Sequence, residues 1–256
     1  MNGFAVVIPC RYASTRLPGK PLREINGRPM LEHVHARAAG SSAGEIVIAT
    51  DDERIAEAAV HFGARVCMTS SEHRSGTDRI AEVCDQLGWD DDRIVVNLQG
   101  DEPTMPSALI DQCAGLLEDR FADIATLASP LGTRQDLENQ NVVKVVVDRA
   151  GNAIYFSRAA IPFERAGRGT HEAISIALHH HGIYAYRCGI LRKLVSVGPV
   201  PLELCEQLEQ LRALYLGMTV RVAIPAERPG AGVDTEEDLL VAERALAARA
   251  ERSDPV

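Results

Sequence analysis

Short runs of apolar, β-branched residues alternate along the first half of the chain with longer stretches in which apolar residues recur at helical spacing. The short runs predict strands at residues 5–8, 45–49, 65–68, 94–98 and 123–127. The longer stretches predict helices at residues 30–39, 52–62, 77–87 and 106–117. Because such alternation is typical of βαβ units, the predicted fold class is α/β with a mostly parallel sheet and ligands at the carboxyl ends of its strands.

The pattern changes after residue 136. Hairpin-like runs follow at residues 142–147, 153–156 and 182–186, and the polar, glycine-containing stretch 165–171 predicts a mobile loop or lid. We expect one domain over residues 1–256, with an excursion at about residues 135–195.

Helical spacing returns at residues 202–216, where Leu204, Leu208, Leu211 and Tyr215 are predicted to share one face. A strand at residues 219–224 and a terminal helix that ends near Ala248 complete the pattern, and residues 249–256 are predicted to form a frayed end.

Composition narrows the class of protein. The chain has 256 residues, of which 46% are hydrophobic and 25% charged, as in an ordinary globular enzyme. The net charge of −9 argues against nucleic acid as a partner, because nucleic-acid binding depends on cations that contact phosphates. The six cysteines are scattered singly, without the spacing of a zinc site or a disulfide framework. Since neither a membrane-length apolar stretch nor a signal peptide is visible, a cytoplasmic location is expected.

The first predicted strand leads into residues 11–20, whose sequence is RYASTRLPGK. Three cations, two aliphatic hydroxyls and a glycine on one loop favour a site for an anion such as polyphosphate. The loop is not the common nucleotide-binding phosphate loop, because Lys20 is followed by Pro21. The alternative is that the arginines are solvated surface charges and that Ser14 closes a turn.

Asp101 and Asp234 are the strongest candidates for metal ligands. Each stands close to a glycine, after an apolar strand or at a turn, where a carboxylate can face a cleft. Magnesium prefers hard oxygen ligands and needs only one or two protein carboxylates when phosphates supply the rest. The alternative for Asp234 is that it caps the helix that follows.

Motifs from one end of the chain to the other resemble the sugar-activating cytidylyltransferases, in particular the branch that acts on 3-deoxy-D-manno-octulosonate (Kdo). The motifs are RYASTRLPGK at 11–20, HRSGTDR at 73–79, NLQGDEP at 97–103, YFSRA at 155–159, HHGIY at 180–184, LEQLR at 208–212 and GVDT at 232–235. The resemblance implies a Rossmann-like nucleotidyltransferase fold. Within that fold, the excursion at 135–195 would serve sugar binding and dimerisation.

The resemblance also implies roles for single residues. Lys20, Asp101 and Asp234 would be catalytic, and the two aspartates would hold Mg²⁺. Arg11, Ser14, Arg16 and Lys20 would bind the phosphates of CTP, and Ser75 would lie near the cytosine, although a helix cap is its alternative role. The sugar acid would contact Gln99, Arg158, His180, Tyr184, Glu209 and Gln210. A guanidinium such as that of Arg158 can hold a carboxylate by two hydrogen bonds, whereas Glu209 and Gln210 could instead form a solvated helix face.

The three consecutive histidines at 179–181 also suggest a metal site. We reject it, because neighbouring residues of a strand alternate between faces and cannot all ligate one ion. Only His180 matches the position in the resembling family, and the roles of His179 and His181 are left open.

The implied reaction transfers CMP from CTP to the anomeric 2-hydroxyl of Kdo, for lipopolysaccharide synthesis, by in-line attack on the α-phosphate with Mg²⁺ as cofactor. CTP and Kdo would be the partners, together with a second copy of the chain in a homodimer. Two alternatives stay open. One is a cytidylyltransferase for sialic acid or an amino-substituted Kdo, and the other is a catalytically silent nucleotide-binding protein on the same fold.

Overall fold

The computed structural model describes residues 3–13, 17–73, 75–165 and 172–253. The strands are β1 (Ala5–Cys10), β2 (Glu24–Ile25), β3 (Arg28–Pro29), β4 (Glu45–Thr50), β5 (Arg65–Met68), β6 (Ile94–Asn97), β7 (Ile124–Pro130), β8 (Lys144–Val147), β9 (Ala153–Ser157), β10 (Leu178–Arg187) and β11 (Val220–Ala223). The helices are α1 (Met30–Ala39), α2 (Glu53–His61), α3 (Gly76–Gln86), α4 (Ser107–Gly115), α5 (Arg134–Glu138), α6 (Glu172–Ile176), α7 (Cys188–Ser196), α8 (Pro201–Glu206), α9 (Gln210–Tyr215) and α10 (Glu236–Ser253).

A central mixed sheet organises the described residues. Seven of its strands follow the order β11–β7–β10–β6–β1–β4–β5, and β8 pairs with β10 and with β9. Strand β1 runs parallel to both β4 and β6, and β11 runs parallel to β7, whereas β10 is antiparallel to β6, β7 and β8. The predicted α/β class with a mostly parallel mixed sheet is therefore confirmed.

The sheet is buried on both faces, as parallel sheets generally are. Strand β1 illustrates the reason, because its side chains alternate between two clusters of core residues. Val6 and Ile8 pack with Leu31 of α1 on one side of the sheet, while Val7 packs with Ile80 of α3 on the other. The apolar run at the start of the chain thus anchors the strand from which the first loop emerges.

The segment predicted as an excursion also contributes to the centre of the molecule. It forms the hairpin β8–β9, but it also forms β10, which lies between β6 and β7 in the main sheet. The predicted strand at 182–186 is the second half of this longer strand, whose register with β7 shifts between His181 and Tyr184. The division into one domain with an excursion stays a prediction. Most of the predicted loop or lid, residues 166–171, lies outside the described residues.

A buried lysine fastens the base of the β8–β9 hairpin. The side chain of Lys144 is fully buried, and its Nζ donates to the carbonyl oxygens of Asn139 at 2.8 Å, Val142 at 2.6 Å and Arg158 at 2.6 Å. Three carbonyl acceptors can satisfy the three N–H groups of an ammonium. Lys144 therefore holds the backbone at Arg158 close to the 139–142 turn.

The single helix predicted at residues 202–216 is wrong. Two short helices, α8 and α9, are separated by residues 207–209, of which Gln207 has a left-handed backbone with φ of 52°. The four residues predicted to share one face do not share one, because Leu208 and Leu211 are buried while Leu204 and Tyr215 are 64% and 57% exposed. The leucines keep a helical spacing in the sequence across this break, so apolar periodicity alone did not predict it.

The terminal helix is longer than predicted. It runs from Glu236 to Ser253, beyond the expected end near Ala248, so the predicted frayed end at 249–256 is wrong for the residues through 253. None of the helices in the described parts of the chain combines the length and hydropathy needed to cross a bilayer.

Candidate active site

Lys20 bridges two carboxylates that come from distant parts of the chain. Its Nζ donates to Oδ2 of Asp101 at 2.6 Å and to Oδ1 of Asp234 at 2.9 Å. Burial works against the positive charge of Lys20, but attraction to Asp101 and hydrogen bonds to both carboxylates outweigh it, so the pKa of the ammonium is raised. Lys20 is therefore charged at physiological pH and offsets the repulsion between the two acids.

The loop that carries Lys20 is held by an aromatic contact. Gly19 adopts a left-handed backbone with φ of 66°, and a Cβ at this position would lie 3.2 Å from Oη of Tyr12. On the tyrosine ring lies the guanidinium of Arg54, 3.4 Å from the ring centroid, and Arg54 is itself paired with Asp52 at 2.6 Å. Glycine is thus required where the chain turns against the Tyr12 ring before it reaches Lys20.

Asp101 reaches the same place from the neighbouring strand. Strands β1 and β6 are adjacent and parallel, so their carboxyl ends meet at one edge of the sheet. The turn after β6 packs closely against the end of β1, since a Cβ on Gly100 would lie 2.5 Å from Sγ of Cys10. This close approach brings the Asp101 carboxylate within reach of Lys20.

Asp234 is placed by a segment that is fastened to the residues around Asp101. The backbone N–H of Val233 donates to the carbonyl of Asp101 at 2.9 Å, and Oγ1 of Thr104 donates to the carbonyl of Ala231 at 3.2 Å. A Cβ on Gly232 would lie only 2.9 Å from Oε1 of Glu102. The position of Asp234 thus depends on short contacts with residues 101–104.

Thr235, rather than Asp234, makes the capping bonds of helix α10. Its hydroxyl accepts from the backbone N–H of Asp238 at 3.2 Å, and its backbone N–H donates to Oδ2 of Asp238 at 2.9 Å. These reciprocal bonds form a capping box. Since Thr235 fills the structural role that was the alternative for Asp234, the carboxylate of Asp234 can face the cleft and Lys20.

The two aspartates suit a hard divalent cation. Carboxylate oxygens are the ligands that Mg²⁺ prefers, and water and substrate phosphates can complete its shell. Glu102 lies beside them, and its Oε2 is buried without a hydrogen-bond partner among the described residues. Burial and the charge of Asp101 raise the pKa of Glu102 to about 8. Because phosphates and water can supply the remaining ligands, the aspartate pair is the candidate metal site. Clusters of three or more potential ligands among His, Cys, Asp and Glu do not occur in the described residues.

Two cavities meet at this edge of the sheet. The first, which we call the loop cavity, has a volume of about 410 Å³ and is lined by Lys20, Asp101 and Asp234. The second, the helix cavity, has a volume of about 310 Å³ and is lined by Tyr184, Glu209 and Gln210, among others. Both are also lined by Arg11, Gly76 and Gln99. The structure thus brings eight of the predicted site residues, including Arg11 and Gln99, to two adjoining spaces.

Other predicted site residues do not line these cavities. The guanidinium of Arg158 donates to the carbonyl oxygens of Glu206 at 2.9 Å, Gln140 at 3.1 Å and Gln207 at 3.4 Å, and so holds the break between α8 and α9. Ser75 forms the N-cap of α3, because its Oγ accepts from the N–H of Asp78 at 3.2 Å. Ser14 and Arg16 lie outside the described residues.

His180 is buried inside the sheet region. Its Nε2 lies 3.0 Å from Oγ1 of Thr126, and that hydroxyl donates to the carbonyl of Ile183 at 2.7 Å, so Nε2 must carry the proton. Burial, together with His181 and His179, lowers the pKa of His180 to about 3. His180 is therefore neutral at any ordinary pH, and its ring contacts that of Tyr184, which lines the helix cavity.

Sequence reasoning missed several residues that line the two cavities. Arg79 lines the loop cavity, and Thr77, Asn97, Tyr186, Gln207 and Arg212 line the helix cavity. A signal was present for four of them, because Thr77, Arg79, Asn97 and Arg212 stand inside motifs that carry the family resemblance. No local pattern marks Gln207, whose position results from the helix break.

Comparison with known proteins decides the family. Residues 5–220 match the cytidylyltransferase family. The chain belongs to this family. Two relatives are named 3-deoxy-manno-octulosonate cytidylyltransferase. The protein from Thioalkalivibrio sulfidiphilus (strain HL-EbGR7) is 51% identical over 96% of this chain and 99% of its own length. The protein from Idiomarina loihiensis (strain ATCC BAA-735 / DSM 15497 / L2-TR) is 51% identical over 92% of this chain and 95% of its own length.

The fold of this cytidylyltransferase agrees with a solved relative. A structure of CMP:2-keto-3-deoxy-manno-octonic acid synthetase in complex with CTP superimposes with a TM-score of 0.87 and 37% identity, over 96% of this chain and 99% of the other. The predicted nucleotidyltransferase fold is therefore confirmed.

The buried neutral state of His180 predicts a loss of stability in acid. The folded pKa of about 3 lies below the usual 6.5, so only the unfolded chain binds the proton between these values. The free energy of unfolding should fall by about 1.4 kcal/mol per pH unit from this group as pH drops below about 6.5. Urea unfolding of the wild type and His180→Gln between pH 7 and 5 measures this slope, and an equal slope in both proteins would contradict the assignment.

Proposed function

We propose that this cytidylyltransferase transfers CMP from CTP to the anomeric 2-hydroxyl of Kdo, giving CMP-Kdo and pyrophosphate. The observation that carries the proposal is the bridge from Lys20 to Asp101 and Asp234, in a cavity that adjoins the one lined by Tyr184, Glu209 and Gln210. One space is suited to phosphates and a cation, and the other to a hydroxylated sugar. The names of the relatives supply the identity of the sugar.

The charged loop cavity is where the phosphates of CTP would bind. Lys20 and Arg11 line it, and their positive charge stabilises the negative charge that builds up on the departing pyrophosphate. Asp101 and Asp234 are the residues that would hold Mg²⁺, which supplies further neutralisation and a lower pKa for the attacking hydroxyl. The proposal also keeps three nucleotide contacts that rest only on their sequence motifs, namely Ser14, Arg16 and Ser75.

The sugar acid would occupy the helix cavity. Glu209 and Gln210 offer acceptors and donors for its hydroxyls, and Gln99 lines both cavities, where the sugar and the α-phosphate must meet. Holding both reactants in line is the main contribution that phosphoryl-type transfer asks of a protein. His180 stays neutral and buries one side of Tyr184, and Arg158 holds the carbonyls that position Gln207 beside the cavity. A cytoplasmic location and a place in lipopolysaccharide synthesis belong to the same proposal.

A homodimer is the third part of the proposal. Large apolar side chains are exposed in the segment 135–195, namely Ile154 at 60%, Phe163 at 88% and Ile176 at 54%. Burial of these side chains against a second copy of the chain would remove their apolar surface from water. We assign them to the contact between two copies of the chain.

Pyrophosphate release measures the proposed reaction directly. With CTP and Mg²⁺ we expect release with Kdo and none without sugar, accompanied by a product with the mass of CMP-Kdo. Release only with 8-amino-Kdo or N-acetylneuraminate would retain the mechanism and change the substrate. Folded protein that binds CTP but releases no pyrophosphate with any acid would refute the proposal in favour of a silent nucleotide-binding protein.

Asp101→Asn tests the metal site. The amide keeps the shape of the side chain but loses the charge that a divalent cation requires, so kcat should fall by roughly 100-fold or more while the protein stays folded. Steady-state kinetics together with thermal melting measure both quantities. Asp92→Asn is the matched control, since it breaks an exposed pair with Arg120 at 3.0 Å and should leave kcat unchanged. Wild-type turnover in Asp101→Asn would refute the assignment.

Phe163→Glu tests the dimer. A charge in the proposed contact should convert the dimer to a monomer, as measured by light scattering after size exclusion. Phe121→Glu is the matched control, because Phe121 is 76% exposed but lies outside the 135–195 segment. A wild-type protein that is monomeric at all concentrations, or a dimer that both variants preserve, would argue against this contact.

A further inference from the structure

The hydroxyl of Thr77 joins the start of helix α3 to the connection between α8 and α9. Its Oγ1 donates to Oε2 of Glu209 at 2.9 Å, across 132 positions of the sequence. Thr77 is itself buried, at the second position of α3, and lines the helix cavity together with Glu209. The bond therefore lies at the wall of the space in which the sugar acid is proposed to bind.

The carboxylate of Glu209 is held by hydroxyls from one helix end. Glu209 lies between the left-handed Gln207 and the first residue of α9, in a connection anchored by the buried Leu208. Burial raises the pKa of the Glu209 carboxyl, whereas hydrogen bonds from the hydroxyls of Thr77 and Ser75 lower it. Both hydroxyls come from the N-terminal end of α3, so this helix end orders the carboxylate.

The N-terminal end of α3 lies beside both cavities. Gly76, between the two hydroxyl residues, lines both the loop cavity and the helix cavity. A carboxylate has two oxygens that accept several hydrogen bonds, so Glu209 can accept from Thr77 and still accept from a ligand hydroxyl. The same short segment thus borders the nucleotide space and fixes an acceptor in the sugar space.

We infer that Thr77 is a positioning residue for binding of the sugar acid. Its hydroxyl holds the Glu209 carboxylate in the orientation that accepts a sugar hydroxyl. The inference rests on the proposed function. Thr77 acts through Glu209 and not on CTP itself. Removing its hydroxyl should therefore weaken sugar binding and leave nucleotide binding intact, whereas a general disturbance of α3 would weaken both.

Thr77→Val removes the hydroxyl and nearly keeps the volume. We expect the KM for Kdo to rise about tenfold, as for loss of one hydrogen bond to a charged group, with the Kd of CTP within about twofold of wild type. Thr77→Ser, which restores the hydroxyl, should restore the KM. Thr133→Val is the matched control, since its Oγ1 also donates to a carboxylate, that of Asp136 at 2.7 Å, but lies outside both cavities. An unchanged KM for Kdo in Thr77→Val, or no rescue by Thr77→Ser, would overturn the inference.

A double-mutant cycle with Glu209→Gln tests whether Thr77 acts through Glu209. In the Glu209→Gln background, Thr77→Val should change the KM for Kdo by less than about twofold, because the charged acceptor is already lost. A full tenfold effect in that background would overturn the inference.

The same cycle in stability separates this inference from the proposed function. If the wild type forms no CMP-sugar with any acid, the proposed function fails, and the four proteins are compared by urea unfolding instead. We expect the coupling between the two sites to change the unfolding equilibrium constant by about fivefold or more. Additive effects would then also overturn the inferred contact between Thr77 and Glu209. If the valine variant does not fold, Thr77→Ala replaces Thr77→Val.

Discussion

The candidate active site at the edge of the sheet depends on one ammonium group, that of Lys20, which keeps two carboxylates side by side. Without Lys20, Asp101 and Asp234 would repel each other, and the segments that carry them would lose their common partner. The sheet brings Lys20 and Asp101 together because β1 and β6 are parallel neighbours. Asp234 comes from the far end of the chain, and its segment is fastened to residues 101–104 by backbone bonds and close glycine contacts.

Much of this arrangement could be predicted from the sequence, because its causes are local. Apolar runs, helical periodicity and turn residues predicted the parallel strands and the loops at their carboxyl ends. Glycines beside Lys20, Asp101 and Asp234 marked places where the backbone turns sharply or approaches another segment. Motif resemblance then connected these places to one chemistry, and the match of residues 5–220 confirmed the cytidylyltransferase family itself.

The remainder depends on contacts between distant segments, which leave no local pattern. Strand β10 enters the sheet antiparallel between β6 and β7, although nothing in its own sequence specifies its neighbours. The left-handed Gln207 interrupts an apolar spacing that otherwise predicts one helix. Arg158 has the chemistry to bind a carboxylate, yet its guanidinium bonds three backbone carbonyls, and only the folded positions of residues 140, 206 and 207 provide them.

These long-range contacts divide the cleft into two halves with different physical chemistry. The loop cavity is lined by charged side chains. The ammonium of Lys20 suits phosphates, and the carboxylates of Asp101 and Asp234 suit a metal ion. The helix cavity has two buried neutral rings in its wall beside the charged side chains of Arg11, Glu209 and Arg212. The rings of Tyr184 and Tyr186 stack with centroids 5.8 Å apart, and the burial of both raises their pKa values. In the proposed function, such a wall would select a sugar by the direction of hydrogen bonds, which discriminates between hydroxyl patterns better than charge does. The orientation of the acceptors in it, above all Glu209, would therefore matter more to the choice of sugar than their number.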